Sequence, residues 1–293
     1  MKRGDVIRGY RIVSEPKNGG GGRSVWAFAR RAGSDYFLKR FLDPKWPTDS
    51  SMGSPAGKAR RREECERFEH RHQQLAATLN PSAIGGGNLV TAIDIFREGT
   101  TYYMVTDRIH ALGVEDLRGF TLRQIAVVLR TLCHGIKVLH RAGLVHGHLT
   151  PATVLLQRSA AGNLVAAKVI GLDDAYPTGD PPPPDQIVGD RRFSAPEWLR
   201  YVKGDDDQLT TAVDIYALGL MFHVYLAGGL PGLIFDNQLD VRMIALLRRM
   251  TADAAADRPR IEEVITALAD ETLLRPARST QAEEFACPAT ASA

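Results

Sequence analysis

Residues 215–235 contain no Asp, Glu, Lys or Arg, and that one run narrows the folds open to the chain more than any other feature. An uncharged stretch of ~20 residues is either a membrane-spanning helix or a helix enclosed by the core of a large soluble domain. Gly228, Gly229 and Pro231 break the run too early for a span, Asp214 opens it, and Tyr216, His223 and Tyr225 punctuate it. A buried central helix is therefore expected. Such a helix needs a domain able to surround it, and 293 residues at 44% hydrophobic content can bury a core of that size, as one two-lobed domain or two smaller ones.

Charge excludes more than it suggests. The 37 basic residues stand against 34 acidic ones, a formal net charge of +3, which gives neither nucleic acid nor an anionic membrane an electrostatic reason to bind. Basic clusters such as residues 58–62 read as solvated helix faces. Cys65, Cys133 and Cys287 are odd in number and far apart, so they form neither a disulfide framework nor a zinc site. The first residues, Met1-Lys2-Arg3-Gly4-Asp5, lack the apolar core of an export signal, and a cytoplasmic location is expected.

Strand-like runs occupy residues 10–13, 24–30 and 35–41, aromatic and aliphatic and separated by Gly-bearing turns. Residues 42–57 carry three prolines with Ser, Asp and Gly and read as an inserted loop. The charged, breaker-free stretch 58–78 predicts a helix ending before Asn80-Pro81, and residues 89–96 and 101–108 predict a second hairpin. Leu122, Ile125, Ala126, Leu129, Leu132, Cys133, Ile136 and Leu139 fall on one helical face. Five prolines in 177–184 forbid regular helix there. Helices over 241–250 and 261–268 complete a helical second half, and residues 271–293, without lasting periodicity, predict a tail that is disordered or docks elsewhere.

Residues 144–156 read Leu-Val-His-Gly-His-Leu-Thr-Pro-Ala-Thr-Val-Leu-Leu, and this frame, H-x-x-L-x-P-x-x-V-L-L, resembles the catalytic loop of the protein kinase superfamily. The resemblance runs from Tyr10 to Ala269. Lys168-Val169-Ile170-Gly171-Leu172-Asp173 stands where such proteins carry the D-F-G segment, Phe193-Ser194-Ala195-Pro196-Glu197 resembles the A-P-E end of an activation segment, and Asp214-Ile215-Tyr216-Ala217-Leu218-Gly219 resembles the start of the central helix of the large lobe. Arg258 resembles the late Arg that pairs with the A-P-E Glu. The resemblance implies an α+β bilobal fold over 1–270, with a β-rich small lobe of about 1–107 and a helical large lobe of about 110–270, and it implies structural roles for His146, Glu197, Asp214 and Arg258.

The chemistry of that family is not kept with its frame. His148 stands in the slot of the catalytic Asp, Thr153 in that of the metal-binding Asn, and Gly171 in that of the D-F-G Asp, with Asp173 and Asp174 nearby but out of register. Matched to the family's nucleotide site, the remnant comprises Gly20, Gly21, Gly22 and Val25 of the loop over the phosphates, Phe37 where a small residue lies over the adenine, Lys39 on the third strand, and Asp107, Ile109 and Leu155. Arg71, not an acid, falls near the expected helix Glu; Glu69 is the nearest substitute but lies about 200° around the helix, and Glu64 or Glu66 would need a larger shift.

A missing general base costs on the order of 10² to 10⁴ in rate, and His148, with an ordinary pKa near 6.5, could partly replace it. Magnesium is harder to replace, because it demands hard oxygen ligands in near-octahedral geometry. His146 and His148 make a poor metal pair, with no third ligand near in sequence. The expected reading is a bacterial Ser/Thr-type kinase domain without catalytic competence, a pseudokinase of bacterial signalling. It would need no cofactor, with ATP possible without magnesium, and would bind a protein partner through the Pro-rich segment, the groove between lobes or the tail. Residues 171–199 also resemble bacterial kinases found beside von Willebrand A-type and phosphatase genes, which makes an active kinase, a phosphatase or a von Willebrand A-type protein the partner to expect. Two alternatives stand: an active Ser/Thr kinase with His148 as base and Asp173 or Asp174 on magnesium, and a sensor that binds ATP without hydrolysing it.

Overall fold

A computed structural model of the chain describes residues 1–19, 23–79, 87–113, 117–159, 162, 164–232 and 238–275. The first part is an antiparallel sheet of strands β1 (Val6–Ile7), β2 (Tyr10–Ile12), β3 (Lys17–Gly19), β4 (Ser24–Arg31), β5 (Ser34–Phe41), β6 (Asp94–Glu98) and β7 (Thr101–Asp107), ordered β1-β2-β4-β5-β7-β6 with β3 on β4. β4 and β5 pair along their whole length, from Ser24 opposite Phe41 to Arg31 opposite Ser34. Because side chains alternate across a strand, Ala27, Ala29 and Leu38 enter a small core with Ile12 and Val105, while Trp26, Phe28, Phe37 and Lys39 face the other way, into a cleft.

Helix α1 (Pro55–Thr78) begins three residues earlier than the sequence suggests, because Ser54 caps it by accepting from the Gly57 amide at 3.1 Å and Pro55 fits its first turn. Only Cys65, His72 and Leu75 of α1 are buried. The helix is held to the sheet by Phe68, whose ring lies 5.0 Å from Phe41 and 4.9 Å from Tyr102. The predicted hairpin from residue 89 starts only at Asp94: Leu89 instead bridges in parallel to Val169, and the Val90 amide donates to Val169 O. The apolar Leu89-Val90 pair thus joins the two halves of the molecule rather than extending a strand.

The second part is helical. Helix α2 (Leu122–Arg141), closed by a Thr121/Gln124 capping box, buries the predicted face from Ile125 to Leu139 against the hairpin of β9 (Val154–Arg158) and β10 (Val165–Val169). A short ribbon of β8 (Leu144–Val145) and β11 (Tyr176–Pro177) ties the loop after α2 to the start of the Pro-rich segment. Helices α3 (Pro196–Tyr201), α4 (Ala212–Ala227), α5 (Val241–Met250) and α6 (Ile261–Ala267) follow. α4 carries most of the uncharged run, with Ile215, Leu218, Met221 and Phe222 at 2% exposure or less. No helix among the described residues is long and apolar enough to cross a membrane.

α4 stops at Gly228, whose φ of +83° closes the helix in the left-handed conformation. A Cβ there would come within 2.5 Å of the Arg118 guanidinium, a flexible tip that can move away, so the backbone decides the cost. Gly228→Ala is expected to lower stability by about 1–2 kcal/mol, read as a shift in urea midpoint at unchanged slope.

The predicted tail does not begin at residue 271. A 3₁₀ turn over Glu271–Leu274 places Leu273 and Leu274 in the main core. Arg130 of α2 fixes the approach by donating to the carbonyls of Leu268 and Ala269 and to Glu271. Residues 276–293, like Cys287, lie outside the described residues.

Candidate functional site

Between the sheet and the helical part lies a cavity of about 760 Å³. Its roof is Trp26, Phe28 and Phe37, its floor includes Leu155 and Ile170, and Leu75, Leu79 and Val90 stand at its rear. Lys39, Asp107, Ile109, His148, Thr153, Gly171, Asp173 and Asp174 border it as well. Val25 does not: it belongs to the strand face of Ala27 and Ala29, so Trp26 takes the place expected for it. Gly20, Gly21 and Gly22 fall outside the described residues. Phe37 forms roof beside Trp26, ring centres 5.3 Å apart, and leaves the cavity open beneath.

Lys39 finds its partner neither on α1 nor at the mouth of the cleft. Its Nζ donates to Asp173 Oδ2 at 2.6 Å, with the two side chains 14% and 3% exposed. Burial alone would push the Asp173 carboxyl up, but the Lys39 ammonium and its hydrogen bond draw it below the usual carboxylate range. Glu69, the substitute considered from sequence, accepts from Tyr102 Oη at 2.6 Å instead. Arg71 turns toward the cleft and donates to the carbonyls of Asp173 and Ala175 at 3.1 and 3.3 Å. A basic residue of α1 thus supports the backbone of the segment whose acid holds Lys39. Asp174, beside this pair, has its carboxyl pushed up to about 6, by burial first and then by the Asp173 charge.

The three altered slots are filled by groups with other tasks. Thr153 Oγ1 accepts from the Thr150 amide at 3.0 Å and lies 3.0 Å from Thr150 O and 3.2 Å from His148 O, so its hydroxyl closes the loop on itself. Gly171 sits at φ +80° and heads a 3₁₀ turn over Leu172–Asp174, which throws the two acids onward to the cleft. His148 is held below the ordinary histidine pKa by burial and then by His146, which leaves it neutral at pH 7.

The frame around these slots is tightly bonded. Asp214 accepts from the amides of His146 and Gly147 at 2.8 and 2.9 Å and from His140 Nε2 at 3.0 Å. His146 Nε2 donates to Ile170 O at 2.9 Å while Nδ1 accepts the His148 amide, so both ring nitrogens are engaged. Arg258 places its guanidinium on Glu197 in two bonds of 2.6 and 2.8 Å and donates further to the carbonyls of Ala252, Ala212 and Asp253. Sequence reasoning missed Trp26, Phe28, His72 and Ile170 as cleft residues. For the first two, the alternation of β4 carried the signal.

A family model described as the protein kinase domain matches residues 60–284. The serine/threonine-protein kinase H1 homolog of Danio rerio is 29% identical over 148 residues, 49% of this chain and 34% of that protein. A probable serine/threonine-protein kinase of Bifidobacterium longum is 24% identical over 240 residues, 80% of this chain and 28% of the relative. Another, of Corynebacterium efficiens, is 22% identical over 172 residues, 57% and 24% of the two chains. The chain spans about a third or less of the length of these relatives. The match runs from within α1 through the loop and the helical half and covers most of the chain, and the chain belongs to the protein kinase domain family.

Proposed function

We propose that this kinase domain has lost phosphoryl transfer and works by binding a protein partner. The observation that carries the proposal is the buried Lys39–Asp173 pair. Phosphoryl transfer in this family needs the strand lysine paired with a helix Glu, so that it can meet the phosphates, and an Asp on magnesium. Here the lysine is neutralised by the acid of the activation segment, and α1 offers Arg71 in place of an acid. Magnesium needs hard oxygen donors; the Thr153 hydroxyl is engaged within its own loop and Gly171 has no side chain, so these slots do not fit the ion. Asp173 is committed to Lys39, which weakens the alternative that it and Asp174 take over. The bonded frame of Asp214, Glu197 and Arg258 keeps a folded platform, and the Pro-rich stretch after Tyr176 lies largely exposed upon it, a surface suited to a protein partner.

The test is incubation of the full chain with γ-labelled ATP, magnesium and a generic Ser/Thr substrate, with melting curves recorded alongside. The expected result is transfer no greater than that of Lys39→Ala, and an unchanged melting temperature with ATP, with or without magnesium. Transfer above that control would establish an active kinase. A thermal shift without transfer would establish a nucleotide sensor, since occupancy at 100 times Kd stabilises a fold by about 2.7 kcal/mol.

A further inference from the structure

Among the described residues, His72 is the one buried cleft residue whose ring chemistry the kinase frame does not use. It is 2% exposed and lines both the cleft and a second cavity, of about 380 Å³, behind α1. Its Nδ1 lies 2.8 Å from Phe68 O, one turn back on the same helix. Burial holds the ring pKa below its ordinary value, so the imidazole is neutral, Nδ1 carries the proton, and Nε2 is a bare lone pair directed away from the helix. That Nε2 is fully buried and meets no donor. An unpaired buried acceptor is costly enough, about 1–3 kcal/mol, to call for an explanation.

Asp174, half-buried, is a second acceptor to which no side-chain donor among the described residues is bonded. It borders the cleft, yet the Lys39 ammonium is bonded to Asp173, and Arg71 donates to backbone carbonyls. The charged cleft residues are Lys39 and Arg108 against Asp107, Asp173 and Asp174. Arg108 pairs with Asp35 at 3.4 Å and covers the Phe28 ring. Both cations are thus already paired, and among the described residues no side-chain hydrogen bond reaches Asp174. The roof is aromatic, with Trp26 and Phe37 inclined at 31°, a surface that favours flat rings and positive charge.

We propose that the cleft takes a flat apolar ligand bearing a protonated amine, its ammonium on Asp174 and a further N–H donor toward His72 Nε2. This deepens the reading above, since it rests on a cleft that does not hold a metal triphosphate. Asp173, Lys39, Arg71 and Arg23 act electrostatically on Asp174, and His72 and His148 border the same cleft. Acidification from pH 7.5 to 5 protonates the Asp174 carboxylate and can only add positive charge at the two histidines, so amine binding weakens, and Asp174→Asn separates the two contributions.

The probe is 9-aminoacridine, flat, cationic and donor-bearing, with acridine as the uncharged comparison at pH 7.5. Titrations of the full chain are followed by fluorescence and by melting temperature. The expected result is binding of 9-aminoacridine at least tenfold tighter than of acridine, weakened tenfold at pH 5, by Asp174→Asn and by His72→Phe. Asp174→Asn should leave acridine binding unchanged and raise rather than lower the unliganded melting temperature at pH 7.5, because burial disfavours the carboxylate in the fold; it therefore decides the matter even if His72→Phe folds poorly. Equal affinity for the two compounds, no effect of Asp174→Asn, or no binding at all would overturn the proposal. Amine binding together with phosphoryl transfer would overturn only the functional reading, and neither activity would overturn only this one.

Discussion

Arg258→Ala is expected to lower unfolding free energy by about 3–5 kcal/mol, the range found when one partner of a buried ion pair is deleted. The side chains of Arg258 and Glu197 are 0% and 5% exposed, and the guanidinium uses all five of its N–H groups. Removing it leaves Glu197 charged without a partner and three carbonyls without their donor, and it removes a cation 5.0 Å from the centre of the Tyr216 ring. Glu197→Gln should cost less, because an amide can still accept from the guanidinium. Urea melts check both. A fall below about 1 kcal/mol for Arg258→Ala would mean that water reaches the pair, since that is the range of exposed ion pairs.

Lys39→Ala is expected to cost about 3 kcal/mol through the same route, a result foreign to a lysine whose only task is to meet phosphate. Its partner Asp173 is left 3% exposed and escapes the penalty only by taking a proton. In the parent, the Asp173 pKa is depressed, so its contribution is fully present above the unfolded value of ~3.9 and is lost as pH falls through the folded pKa. In Lys39→Ala, burial without a cation raises that pKa. The deficit relative to the parent is then largest near neutral pH and shrinks on acidification. Lys39→Ala/Asp173→Ala should recover most of the loss, giving a coupling in the double-mutant cycle of about 2 kcal/mol. An unchanged melting curve for Lys39→Ala would remove the observation on which the proposed function rests.

What could be read from the chain depended on the range of the interaction. The 3.6-residue spacing from Ile125 to Leu139 marks a buried face because neighbours on a helix are neighbours in sequence, and α2 buries that face. The frame around His146, Glu197, Asp214 and Arg258 was legible because each residue serves a fixed backbone geometry. Val25 was misplaced by one step, and one step along a strand reverses the face. The partner of Lys39 was beyond such reasoning: Asp173 lies 134 residues away, and the 3₁₀ turn headed by Gly171 brings its acid to the lysine. The unpartnered Nε2 of His72 is equally silent in sequence, since it depends on what the folded surroundings leave without a donor. Leu273-Leu274 did carry a signal, an apolar pair where the surroundings had turned polar.

Those two leucines decide where the protein can be trimmed. Ended at residue 270, it would expose a greasy groove along the underside of the large lobe and deprive Arg130 of its Glu271 contact. Ended after 275, it keeps that groove closed, so samples prepared to the two lengths would differ in their tendency to self-associate before any question about the cleft is asked of them.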